Sequence, residues 1–244
     1  MLIKPIQTAI FKVGDSLEDF IVRFIPAVNE GGIIVVTSKI VAVSQRRIVP
    51  GGSAQKESWI KKESEKYLKT KWCYLTLKDG QWCANAGIDE SNSQEGSLIL
   101  LPKNPYRDAM VLRKKLLKRY SIKKLGIVIT DSRIFPLRQG VTGVAIGYAG
   151  FQGIRNYIGS NDLFGRRIKM TKTNVADSLA TAAVLEMGEG DEQIPLAVIT
   201  GVANIVFTEK VRRKELQMDP ENDLYRPLFR RNITNLAKTG RRNQ

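Results

Sequence analysis

The stretch Asn85-Ala86-Gly87-Ile88-Asp89-Glu90-Ser91-Asn92 gathers two carboxylates, a hydroxyl and two carboxamides within eight residues. It follows Trp82-Cys83-Ala84, which reads as the end of a strand, so the polar groups fall on a turn that Gly87 lets bend sharply. A turn rich in oxygen and free of sulfur and imidazole suits a hard cation or a phosphate. It also reads as a surface turn whose Asp and Asn satisfy their own backbone, and alone it fits that reading better.

Other stretches carry the same chemistry at the ends of apolar runs. Ile33-Ile34-Val35-Val36 reads as a strand buried on both faces and leads into Thr37-Ser38-Lys39. Leu125-Gly126-Ile127-Val128-Ile129 reads the same way and leads into Thr130-Asp131-Ser132. Hydroxyls, a lysine and a carboxylate placed where loops leave a rigid sheet can reach phosphate. The acidic loop Gly188-Glu189-Gly190-Asp191-Glu192 follows the clearest helix of the chain, Val175 to Met187, which Asn174 can cap.

Composition narrows the chemistry. Histidine is absent, which excludes Ser-His-Asp and Cys-His catalysis and any His-ligated metal. Acid–base work falls to Asp, Glu, Lys or Tyr. The two cysteines, Cys73 and Cys83, lie in apolar contexts and suit buried thiols of a reducing compartment. A net charge of +15 favours anionic partners such as phosphorylated small molecules, nucleic acid or an anionic surface. With 43% hydrophobic residues in 244, a full core can be built. No apolar run approaches the roughly 20 residues needed to span a bilayer, and residues 1–5 lack a signal-peptide pattern. The expectation is a cytoplasmic protein with no membrane partner.

The positioning elements follow from periodicity. Leu17, Phe20, Ile21, Phe24 and Ile25 form one face of a helix capped at Asp15-Ser16. Residues 50–56 read as a Gly/Ser loop, and a charged helix runs on through Trp59, Ile60, Tyr67 and Leu68. Asp79-Gly80 between Trp72–Leu77 and Trp82–Ala84 marks a hairpin that presents the octapeptide. Ser97 to Leu101 reads as a strand. The helix from Arg107 to Tyr120 has Met110, Leu112, Leu116, Leu117 and Tyr120 as its apolar members and Arg113, Lys114, Lys115, Lys118 and Arg119 on its other face. The glycine-dense segment from Gly140 to Gly165 is neither a Walker A loop nor a dinucleotide fingerprint, and close packing explains most of its glycines. Pro195 opens a strand from Leu196 to Thr200.

Taken in order, the octapeptide, Ile129-Thr130-Asp131-Ser132, Gly143-Val144-Ala145-Ile146-Gly147, Asp162-Leu163-Phe164-Gly165-Arg166, Ala176-Asp177-Ser178-Leu179-Ala180 and Met187-Gly188-Glu189 resemble the coenzyme F-420:L-glutamate ligase family. The resemblance extends from Pro5 to about Pro195. The wording Val36-Thr37-Ser38-Lys39-Ile40-Val41 and Asn174-Val175-Ala176-Asp177-Ser178 is most similar to a bacterial branch assigned to folate metabolism. The nitroreductase-like extension fused to some family members is not expected in this chain.

The resemblance implies an α+β fold with a mixed sheet and an intertwined homodimer, the ligase domain covering 1–229 and a basic tail, expected to be disordered, covering 230–244. It implies a γ-glutamyl ligase that uses a nucleoside triphosphate, GTP or ATP, to activate an acceptor carboxylate as an acyl phosphate for amide formation with L-glutamate. Mg²⁺ or Mn²⁺ is the implied cofactor, with K⁺ as a further ion. Carried over by motif, Asp89 and Asp131 are catalytic and ligate metal with Ser132 and Glu189. Thr8, Ser38, Lys39, Asn92, Met187, Gly188, Gly190, Asp191, Glu192 and Gln193 meet the nucleotide. Asp162 and Arg166 read equally as an ion pair or as substrate contacts. In the coenzyme branch the Ser-Lys pair is followed by a second lysine and Glu-Gly-Arg, where this chain has Val43 and Gln45-Arg46-Arg47. Arg46 or Arg47 could replace the lost charge. The branch's Trp-Gly-Arg run after the second aspartate is here Arg133-Ile134-Phe135.

The expected acceptor is a folate, and the enzymatic alternative is the GTP-dependent ligase of coenzyme F-420-0, whose acceptor is a deazaflavin. A rival of another class is an RNA-binding protein using the basic face from Arg113 to Arg119 and the C-terminal tail. No RNA-recognition motif accompanies that charge, so nucleic acid is not an expected partner.

Overall fold

In chain order the elements are β1 (Leu2–Ile6), α1 (Leu17–Phe24), β2 (Gly32–Thr37), α2 (Ser38–Ser44), β3 (Ile48–Pro50), α3 (Ser53–Glu63), β4 (Lys66–Lys69), β5 (Tyr74–Lys78), β6 (Gln81–Ala84), β7 (Ser97–Ile99), α4 (Pro105–Tyr120), β8 (Leu125–Arg133), β9 (Thr142–Ala149), β10 (Ile154–Asn156), β11 (Lys172–Asn174), α5 (Val175–Met187) and β12 (Leu196–Thr200). The computed structural model describes residues 1–93, 96–210 and 213–228, so the expected tail at 230–244 lies outside the described residues.

Five strands form the central sheet, in the order β1-β12-β2-β8-β9. Only β2 and β8 run parallel, and the other neighbours are antiparallel, which makes the sheet mixed as expected. Alternation along the buried strands divides the core. Ile34, Val36, Ile127 and Ile129 face α1, α2 and α4, whereas Ile33, Val35 and Val128 face α5. Strands buried on both faces need continuous apolar runs, which is what β2 and β8 supply. Ser16 caps α1 by accepting from the Asp19 amide, and Asn174 caps α5 by accepting from that of Asp177.

Two features of the sheet set up the site. Thr37 pairs with Thr130 across the parallel ladder, so the residues after each leave the sheet side by side. On the other edge of β8 the register slips between Ile129 and Thr130, because Ile146 is an extra residue in β9. Asp177 accepts the Ala145 amide at that bulge and ties it to the start of α5. Burial pushes the Asp177 carboxyl up, outweighing its hydrogen bonds from Ala145 and Asn174.

The glycines around β9 reflect close approach. A Cβ on Gly147 would lie 2.4 Å from the Pro105 carbonyl carbon, at the first turn of α4. That neighbour is backbone and cannot turn aside. Gly147→Ala is therefore expected to cost about 1–3 kcal/mol of stability or more, read as a lower urea midpoint with an unchanged m-value. Gly159 and Gly165 have open space around them, so packing does not explain those two.

Several expectations are corrected. Residues 50–56 are not all loop, since α3 begins at Ser53. The charged helix ends at Glu63, and Tyr67 and Leu68 belong to β4, paired with β5 in a three-stranded sheet. Arg113 is not on an exposed basic face: it is buried, donating to the Leu125 carbonyl and forming a bidentate pair with Glu209 at 2.6 and 2.7 Å. Met110, expected on the apolar face of α4, is exposed. Lys115 and Arg119 pair with Glu18 and Asp19 of α1, which removes more of the free charge an RNA-binding face would need. Cys83 is buried, Cys73 is only partly so, and both are free thiols.

Candidate active site

Four segments converge beyond the carboxyl ends of β2 and β8: the octapeptide, the first turn of α2, the end of β8 and the loop after α5. Each arrives for a local reason. The hairpin of β5 and β6 delivers the octapeptide, and Asn85 and Ala86 take left-handed backbone angles as it turns. Asp89 is then fixed by a two-way backbone bridge to Ile99. The α2 helix starts directly from β2, so Ser38 and Lys39 point from its first turn across to β8 and the octapeptide.

The carboxylates are each held. Lys39 Nζ lies 2.7 Å from Asp89 Oδ2 and also donates to the Ser91 carbonyl at 3.1 Å. The Ser91 amide and hydroxyl donate to Asp89 at 2.7 and 3.0 Å. Partial burial works to raise the Asp89 carboxyl, but Lys39 and Ser91 outweigh it and hold it below the usual carboxylate range. Ser38 Oγ donates to Asp131 Oδ1 at 3.2 Å, and Arg133 Nη1 pairs with the other oxygen. Ser132 donates to both oxygens of Glu189, at 2.6 and 2.8 Å.

The loop after α5 closes the circle. Asn92 Nδ2 donates to the Gly190 carbonyl at 2.9 Å, joining the octapeptide to that loop. Thr8 is buried and its amide donates to the Gln193 carbonyl at 3.0 Å, bringing β1's exit alongside. Glu192 folds back to accept the Gly190 amide, and a Cβ on Gly188 would sit 2.3 Å from the Glu192 carboxyl carbon. Asp191 is exposed. The Met187 side chain is buried in the core beneath α5, leaving its backbone as the part a ligand could reach.

The expected metal donors are thus not gathered as one set: Lys39 and Ser91 hold Asp89, Ser38 and Arg133 hold Asp131, and Ser132 holds Glu189. Period-two alternation along β8 sends Asp131 to the α2 side and Ser132 to the α5 side. Among the described residues, no three acidic or sulfur side chains are gathered for a metal ion. The donor set remains all hard oxygen, which fits Mg²⁺ or Mn²⁺ in chemistry. In this arrangement the charges opposite Asp89 and Asp131 are supplied by Lys39 and Arg133.

Sequence reasoning missed Arg133. Its side chain is 8% exposed, and its Nε is buried with no hydrogen-bond partner among the described residues. Of the two arginines offered as replacements for the missing lysine, Arg47 is committed to Glu63 and the Leu101 carbonyl, while Arg46 is exposed. Asp162 accepts the amides of Phe164 and Arg166 and pairs with Arg166 at 3.0 Å, so these two residues form a local turn lock.

The family model for F420-0:gamma-glutamyl ligase matches residues 5–201. A coenzyme F420:L-glutamate ligase of Archaeoglobus fulgidus is 34% identical, covering 91% of this chain and 94% of its own length. That of Methanocaldococcus jannaschii is 32% identical, over 91% and 95%, and that of Methanosarcina mazei is 35% identical, over 78% and 81%. With the family model spanning four of the converging segments in order, the chain belongs to the F420-0:gamma-glutamyl ligase family, enzymes that form an amide bond.

Proposed function

We propose that the protein joins L-glutamate to an acceptor carboxylate through an acyl phosphate made from a nucleoside triphosphate. The observation that carries this reading is the convergence of Lys39, Ser38, Asp89, Asp131 and the loop from Met187 to Gln193 at one end of a rigid sheet. An acceptor carboxylate oxygen attacks the terminal phosphorus and the nucleoside diphosphate leaves. The glutamate amine then attacks the acyl carbon, the carbon–oxygen bond to phosphate breaks, and the amine gives up a proton. Neither step needs histidine, and positioning with charge neutralisation supplies most of the rate.

The chain's part is to hold these groups. Lys39 and the loop from Met187 to Gln193 meet the nucleotide's phosphates, Asn92 and Thr8 fix the nucleotide beside that loop, and Ser38 keeps Asp131 oriented. Asp89, Asp131, Ser132 and Glu189 would hold Mg²⁺ or Mn²⁺, with K⁺ as a further ion, and a bound cation supplies charge neutralisation on the phosphates. The working form is a homodimer. The ribbon of β10 and β11 supports this, because Leu163, Phe164 and Met170 between its strands are 98%, 83% and 86% exposed.

The acceptor is a folate-type carboxylate in a cytoplasmic setting. Supporting this are the replacements Val43, Gln45 and Arg133-Ile134-Phe135, at positions where the coenzyme branch reads otherwise. The relatives' names favour a second reading, in which the acceptor is coenzyme F420 or its precursor and the nucleotide is GTP. No helix among the described residues is long and apolar enough to cross a membrane, which agrees with soluble substrates. A mass-spectrometric screen of folates and deazaflavin acceptors against GTP and ATP, with Mg²⁺ or Mn²⁺, should show added glutamyl units on a folate. Glutamylation of the deazaflavin alone would select the second reading, and no glutamyl product with any pair would contradict both.

A further inference from the structure

Residues 202–210 and 213–217 follow β12 and lie on the α5 side of the sheet, beyond the residues that the family model matches. They form a strap with several anchors. The Gln152 amide donates to the Val206 carbonyl and the Thr208 amide to that of Gly150, at 2.9 and 3.0 Å. Val202, Ile205, Phe207 and Leu216 pack against the core on that side. Glu209 takes both donor nitrogens of the buried Arg113 of α4, a charge-assisted fork of the strong kind. Glu215 accepts from the Tyr148 hydroxyl of β9 and from the Gly153 amide.

The end of the strap rests on the tip of the β5–β6 hairpin. Arg213 Nη2 donates to Asp79 Oδ1 at 3.0 Å, and Gln217 Nε2 donates to the Asp79 carbonyl at 2.9 Å. These three residues line a small cavity together with Tyr106, Ile146 and Arg133. Its volume is about 20 Å³, room for one water. Arg133 is the group that this cover serves. Its Nη1 pairs with Asp131, and its Nε is buried with no hydrogen-bond partner among the described residues. A buried guanidinium N–H left without an acceptor is costly, and a confined water with other polar neighbours is a common remedy.

We propose that the strap is a positioning clamp for Asp131. By closing the cavity, Arg213 and Gln217 confine one water against Arg133 and keep its guanidinium turned to Asp131. Neither residue touches substrate, and both act through Arg133. An arginine opened to solvent would sample other rotamers and leave Asp131 held by Ser38 alone. Small losses of orientation at a reacting centre are expensive in rate. The inference rests on the ligase reading above and adds to it two positioning residues that lie outside every motif of the site.

The test reads Arg133 directly and turnover beside it. In the full chain labelled with ¹⁵N-arginine, the Arg133 Nε–H resonance is identified by its loss in Arg133→Lys. Its solvent exchange should be about tenfold faster or more in Arg213→Ala/Gln217→Ala, as when a protected group opens to water. That variant should lose about tenfold in kcat, from misplacement at the reacting centre. Its nucleotide KM and urea midpoint should be nearly unchanged, because the ion pair removed is half-exposed and contributes little to stability. Arg213→Lys, which keeps the pair with Asp79, should stay near wild type in exchange and in kcat. The proposal is overturned if exchange in the double variant stays within about twofold of wild type, if exchange rises while kcat does not fall, or if kcat falls only in step with the urea midpoint. Faster exchange in a chain that yields no glutamyl product with any acceptor would retire the ligase reading and leave the clamp on Arg133 standing.

Discussion

Asp131→Asn should lower glutamyl transfer on the order of a thousandfold while the protein remains folded. Both oxygens of Asp131 are engaged: Ser38 donates to one and Arg133 pairs with the other. Asparagine keeps the shape and an acceptor oxygen but loses the charge that would neutralise a cation or orient Arg133, and losses of this size follow removal of one preorganised charge partner. A stability cost accompanies the change. Arg133 is almost fully buried, so removing its counter-charge leaves a poorly compensated cation, at about 2 kcal/mol. Adding Arg133→Met should recover most of that stability by removing the cation, and it should recover no activity. Chemical denaturation and steady-state kinetics on both proteins separate the two effects. Recovery of activity in the double variant would mean that Asp131 acts only as a counter-ion.

Lys39→Met should have the next largest effect, raising the nucleotide KM about tenfold or more, as expected for loss of a charged phosphate contact. It should also move the acid limb of the pH–rate profile to higher pH. The direction follows from Asp89. Burial alone would raise its carboxyl, and Lys39 is the strongest of the groups that bring it below the usual range. Without the lysine, burial opposes only the Ser91 hydrogen bonds, the folded-state pKa rises, and Asp89 becomes protonated sooner as pH falls. In the wild type the depressed pKa contributes stability above the unfolded-state pKa, and that contribution is lost as pH falls through the folded value. An unchanged acid limb in Lys39→Met would show that Asp89 ionisation does not govern the rate.

The two buried strands and the polar residues at their ends were legible from the apolar runs, while the roles of those residues came from the family resemblance. Once β2 and β8 pair in parallel with Thr37 opposite Thr130, Ser38 and Asp131 meet without further instruction. The Asp79-Gly80 hairpin and the Asn174 cap were legible for the same reason, since their signals are local. What escaped depends on partners distant in sequence. The helix α2, Ser38-Lys39-Ile40-Val41-Ala42-Val43-Ser44, has only seven residues and a β-branched composition, so its period is hidden, and Thr37 makes no side-chain cap bond to announce it. Glycine density masked β9, whose small residues exist because α4 and α5 press on it. Arg113 looks like a surface charge until Glu209 is brought to it across the fold, and Arg133 until the packing of the fold buries it beside its strand neighbour Asp131. The metal donors were expected as one set because the family resemblance carried them over together, and period-two alternation was not applied to Asp131 and Ser132. Alternation along β8 separates Asp131 from the Ser132–Glu189 pair.

The central claim is that the groups converging on Asp131 activate an acceptor carboxylate by phosphorylating it. The direct measurement follows ¹⁸O from a labelled acceptor carboxylate into inorganic phosphate during glutamate ligation, in wild type and in Asp131→Asn. One labelled oxygen should appear in phosphate for each amide formed by the wild type, and the variant should lose label transfer and product together. Amide formed without label in phosphate, or label transfer at the wild-type rate in Asp131→Asn, would contradict the account.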